Sequence, residues 1–163
     1  MLDAEAILRC LARHRVEHVV VGAFAATLQG SPLRTDDVDV CPDPGRRNLD
    51  RLGAALRELN AKEWDPRNDE LVERTWGADT LMVDSVSVLI TDRGRLDLVF
   101  KPAGYEGFHQ LANSSVTIRI DDLELRVAAL EDVIRSKEIL RHDHDLVQLP
   151  TLRRLIDLRD EEE

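Results

Sequence analysis

"VVVGAFAATLQGSPLRTDDVDVCPD", Val19 to Asp43, decides how the chain is read. An apolar run stops at Gly22. A short helical patch follows and is closed by Gly30, and then Asp36, Asp37 and Asp39 stand among valines. "DDVDVC" alternates as a strand does and is halted by "PDPG". In a strand, residues i and i+2 share a face and each residue advances the chain about 3.3 Å, so Asp37 and Asp39 point the same way with α-carbons roughly 7 Å apart. Val38 and Val40 point to the other face, toward the core. Two carboxylates this close repel unless a cation stands between them. Magnesium takes oxygen ligands and keeps positions for water or phosphate. The pair therefore reads as a magnesium–phosphate platform at a strand end, with a solvated strand edge as the competing reading.

Outward from this stretch, residues 3–16 form an amphipathic pattern with Ile7, Leu8, Leu11 and Ala12 in one stripe. "HVVVG" is a short buried strand. Residues 46–60 form a helix with Leu49, Leu52, Leu56 and Leu59 near one face. Residues 61–79 are polar and poorly periodic, which reads as a loop with one helical turn. "SVSVLIT" (85–91) and "RLDLVF" (95–100) flank Asp92-Arg93-Gly94 as a hairpin. "GYEGFHQLA" is a short helix, "SVTIRI-DD-LELRV" a second hairpin, and 128–141 and 149–160 are helices. Strands that lead into helices, mixed with hairpins, indicate an α+β protein with a mixed β-sheet, flanking helices and a short C-terminal helical segment.

"RLDLVF" supplies a third acid. Leu96, Leu98 and Phe100 share one face; Arg95, Asp97 and Val99 share the other. Asp97 is a solvent-facing edge residue in the plain reading. Together with Asp37 and Asp39 it makes three acids on two strands, enough to hold two cations as in-line displacement at phosphorus uses them. Lys137 continues the apolar stripe of Leu130, Val133 and Ile134, an unusual place for a lysine. The plain reading is a stem that snorkels at the helix end.

The remaining composition sets bounds. A chain of 163 residues, with 43% hydrophobic and 33% charged residues, fits one soluble globular domain spanning 1–163. No apolar run approaches the roughly 20 residues of a membrane span. The start is acidic and amphipathic, unlike a secretory signal. Cys10 and Cys41 are the only cysteines, which suits a reducing, cytoplasmic setting. A net charge of −10 argues against a broad nucleic-acid surface and suits a basic protein partner or a cation-loaded site. "RHDHD", Arg141 to Asp145, reads as a solvated turn rather than a transition-metal cluster, and Trp64 and Trp76 as packing residues before base-stacking ones.

Glycine after a strand, a short helix, D-x-D and a later lone aspartate on a strand resemble the nucleotidyltransferase superfamily with its polymerase-beta-like palm fold. "VGAFAATLQGSPLRTDDVDV", "RLDLVF" and "LEDVIRSKEIL…HDLVQLPTL" are similar to its minimal branch, which includes abortive-infection (AbiEii-type) and toxin–antitoxin nucleotidyltransferases. The resemblance covers roughly residues 15–156. It implies transfer of a nucleoside monophosphate from an NTP to an acceptor hydroxyl. Asp37, Asp39 and Asp97 would serve as metal ligands and catalytic acids for two magnesium ions. Gly22-Ala23 stands where the family has Gly-Ser or Gly-Gly, so the serine hydroxyl is missing, and Ser31 is a nearby substitute. The resemblance also implies that Lys137 faces the triphosphate, that Asp145 orients Lys137 or the base, and that helices 129–160 pack beside the cleft. Arg34 either meets a phosphate or pairs with Asp36. The acceptor stays open between an RNA end, a protein and a small molecule. The alternative is a regulatory antitoxin of the same fold that sequesters a partner protein.

Overall fold

In the computed structural model, residues 1–81 and 86–163 are described; Ser85, the first residue of the sequence-read hairpin, lies outside the described residues. Helix α1 (Ala4–Arg13) starts where the Asp3 carboxylate accepts the Ala6 N–H at 3.1 Å and buries Ile7, Leu8, Cys10 and Leu11. Strand β1 (His18–Val21) runs into α2 (Gly22–Leu28). Then come β2 (Asp37–Pro42) and α3 (Arg46–Glu58). Strands β3 (Lys62–Asp65), β4 (Glu70–Val72), β5 (Val86–Thr91) and β6 (Gly94–Val99) follow. Helix α4 (Phe108–Ser114) precedes β7 (Val116–Ile120) and β8 (Leu123–Val127), and α5 (Leu130–Leu140) and α6 (Asp143–Glu162) complete the chain.

The strands form one mixed sheet in the order β4-β3-β5-β6-β2-β1-β8-β7. Two neighbour pairs, β2–β6 and β1–β8, run parallel, and the others antiparallel. With helices flanking this sheet, the protein is α+β. Both hairpins read from the sequence form: β5–β6 closes through Asp92-Arg93, with Thr91 paired to Gly94, and β7–β8 closes through Asp121-Asp122. Alternation on β2 resolves as expected. Val38 and Val40 are fully buried, whereas Asp37 and Asp39 face the other side and are partly exposed.

Two sequence expectations fail. Residues 61–79 are not a loop: β3 and β4 form a hairpin at the sheet edge, its turn tied by the Asp65 carboxylate accepting the Arg67 N–H at 2.9 Å. Lys62, Glu63 and Asp65 on β3 and Glu70 on the edge strand β4 put charges where a central strand shows apolar alternation, so the period was erased. The segment from Asp143 to Asp145 is also not a turn. Arg141 takes a left-handed conformation that ends α5, the extended His142 precedes α6 without a side-chain capping bond, and α6 then runs through Pro150. The helix begins six residues before Leu149, where the sequence reading starts it, because Asp143 and Asp145 favour a first turn.

Candidate active site

The β2–β6 register builds the site. Asp39 stands directly opposite Asp97, and Asp37 directly opposite Arg95. Like charges across a ladder destabilise it, and this pair sits on neighbouring strands in the interior of the sheet. Oxygens of Asp37, Asp39 and Asp97 lie within 4.8 Å of one another. Asp39 Oδ1 is sealed from solvent and has no hydrogen-bond donor among the described residues. Burial, then Asp37, then Asp97 push the Asp39 carboxyl up to about 8, with Arg95 and Lys137 opposing. Burial also raises the Asp97 carboxyl, against the pull of its hydrogen bonds from Arg95.

Gly22 makes this arrangement possible. It opens α2 at φ +68°, a left-handed conformation that glycine adopts without strain. The Asp39 carboxylate lies where a Cβ on residue 22 would be. Thr35 steadies the other end of the acidic strand, its hydroxyl donating to Asp37 Oδ1 at 3.0 Å.

All eight residues singled out in the sequence line one cleft of about 790 Å³: Gly22, Ala23, Arg34, Asp37, Asp39, Asp97, Lys137 and Asp145. Lys137 is buried, and its ammonium donates to Asp145 Oδ1 at 3.1 Å. Asp145 is almost fully buried, and Nδ1 of His142 and Nε2 of His144 approach its carboxylate at 3.5 Å. Arg34 pairs with Asp36 at 3.2 Å on an exposed rim. Ser31 does not reach the cleft; its hydroxyl accepts the Leu33 N–H. Neither tryptophan lines the cleft, and the buried Trp76 indole donates to the Ala61 carbonyl at 3.1 Å. Cys41 is core.

Sequence reasoning assigned no role to Arg95. Its guanidinium meets both oxygens of Asp97 at 2.8 Å and lies 3.6 Å from Asp37 Oδ2. The signal was present, because Arg95 and Asp97 are two apart on one strand face. Two further groups of metal-type side chains occur among the described residues. In Cys10, His14 and Glu58, the glutamate is bound by Arg13. In His142, His144 and Asp145, the aspartate is bound by Lys137.

The fold has parallels in solved structures. A candidate nucleotidyltransferase from Thermotoga maritima superposes with a TM-score of 0.56 at 16% identity, covering 96% of both chains. The nucleotidyltransferase fold is therefore the fold of this chain. The antibiotic-resistance factor ANT(2″)-Ia in solution aligns at 0.56 and 15% identity over 97% of this chain and 83% of its own. ANT(2″)-Ia in complex with adenylyl-2″-tobramycin aligns at 0.55 and 14% identity over 96% and 92%. No family model and no curated protein matches the sequence. Among the described residues no helix is long and apolar enough to cross a membrane.

Proposed function

We propose that this protein is a magnesium-dependent nucleotidyltransferase that moves a nucleoside monophosphate from an NTP to an acceptor hydroxyl. One observation carries the reading: three carboxylates converge on a cleft whose wall holds a buried lysine. Hard oxygen donors, one of them sealed and undonated, fit a divalent cation of magnesium's kind. Asp37 and Asp39 would hold it. When bound, the ion supplies charge neutralisation on the triphosphate and on departing pyrophosphate.

The chain's own groups do the remaining work. Asp97 takes the proton of the acceptor hydroxyl as that oxygen bonds to the α-phosphorus. The bond from that phosphorus to its bridging oxygen breaks, and pyrophosphate leaves with the electron pair. Lys137, fixed by Asp145, faces the phosphates, and Gly22 and Ala23 let the backbone approach them. Arg34 exchanges Asp36 for a phosphate at the rim. Positioning and charge account for catalysis of this type. The acceptor class stays undivided between RNA ends, proteins and small molecules, and a cytoplasmic toxin–antitoxin or phage-defence pair is the setting that the sequence resemblance favours.

Incubation with labelled NTPs, magnesium and cell extract tests the reading. Wild type should transfer label, and Asp39→Asn should not. Failure of wild type to bind a non-hydrolysable NTP at millimolar concentration sinks it. That result would favour the second reading, an antitoxin-like binding module. The specific observation behind this alternative is Ala23, whose methyl stands where a phosphate-gripping hydroxyl is expected.

A further inference from the structure

The two-cation arrangement meets an obstacle in this chain. Of the three acids, Asp97 is the one on the neighbouring strand, and both of its oxygens are engaged by Arg95 in a two-pronged contact, 2.8 Å on each prong. The planar guanidinium matches a carboxylate in this way and cannot be deprotonated. Arg95 also reaches Asp37 at 3.6 Å, so it bridges acids of both strands, as a shared cation would. Its place is fixed by backbone register and not by a flexible loop: Arg95 is paired with Asp37 across β2–β6, and two residues along the same strand face is Asp97. Three carboxylates and one guanidinium leave two negative charges, the charge of one divalent ion.

We propose that Arg95 permanently fills the position of the second cation, so that the site takes a single divalent ion with its nucleotide. Under this inference, which rests on the nucleotidyltransferase reading, Asp37 and Asp39 hold the ion. Arg95 is a positioning residue: it orients Asp97 and leaves that carboxylate's remaining lone pairs to the acceptor hydroxyl. An ionised carboxylate has about four lone-pair sites, and two hydrogen bonds do not exhaust them.

Counting ions tests this without any turnover. Manganese(II) is titrated into the protein with a non-hydrolysable ATP analogue, and free manganese is read by electron paramagnetic resonance. Wild type should bind one ion per nucleotide-loaded chain. Arg95→Gln, which keeps hydrogen bonding but removes the charge, should bind two. Arg95→Lys, which keeps the charge, should stay at one. A gain of an ion is not what a merely structural arginine would give on removal. Two ions on wild type, or one on Arg95→Gln, overturns the inference and leaves the enzyme reading standing. No ion on any of the three proteins, with nucleotide present, overturns both. If Arg95→Gln does not fold, the wild-type and Arg95→Lys counts still decide.

Discussion

Asp39 lies where a carboxylate is costly, and its ionisation sets a pH dependence. Its ordinary value of 3.8 is raised to about 8 in the folded chain. Between those values the folded protein holds a proton that the unfolded chain has released. The contribution is therefore fully present below the lower value and lost as pH rises through about 8. In chelator, Asp39→Asn should flatten this slope and raise Tm above pH 8, by about 2–4 °C per kcal/mol gained in a chain of this size. Thermal melts of both proteins across pH 5–9 check it. Lys137 and Asp145 form a different kind of pair, buried and mutually dependent. Removing one partner of such a pair costs about 3–5 kcal/mol because it strands a buried charge. Lys137→Ala should thus lower stability as well as weaken NTP binding roughly ten- to hundredfold. Lys137→Met with Asp145→Leu should recover most of the stability and none of the binding, as melts and nucleotide titration would show.

At the scale of elements, α3 packs so closely that residue 53 must be glycine. A Cβ there would stand 2.6 Å from the Trp76 carbonyl oxygen. Alanine is the better helix former by about 1 kcal/mol, yet Gly53→Ala should destabilise the protein by about 1–3 kcal/mol through overpacking. Denaturant unfolding checks the sign. Which elements could be read in advance follows from the same physics. β2 was legible because Val38 and Val40 alternate with Asp37 and Asp39, and β5–β6 because β-branched residues flank a turn ending in glycine. β3 and β4 were hidden, since these two short outer strands carry charge and show no apolar period. The last helix was read over 149–160, whereas α6 had already begun at Asp143. In the candidate site, acids at i, i+2 spacing announced themselves. Arg95 did not, because an arginine on the polar face of a strand looks like solvent decoration until the register of the neighbouring strand is known.

For the whole molecule, a net charge of −10 and a converging acid cluster make cations stabilising ligands. Magnesium with a non-hydrolysable NTP, at about 100 times its dissociation constant, should add about 2.7 kcal/mol. A Tm indifferent to millimolar magnesium and nucleotide would contradict this. The β2–β6 pairing has a consequence for how the chain reaches its native state. These strands are neighbours in space but are separated in sequence by α3, β3, β4 and β5. Closing that long loop pays entropy before any contact repays it, and here the closure also drives Asp39 against Asp97. Above about pH 8, where Asp39 is ionised, the barrier to folding should therefore contain charge repulsion. Asp39→Asn should speed refolding and leave the unfolding arm of the chevron nearly unchanged. A variant that only unfolds more slowly would place the meeting of the two acids after the transition state. In either case the residues read as catalytic would also set how fast the protein folds.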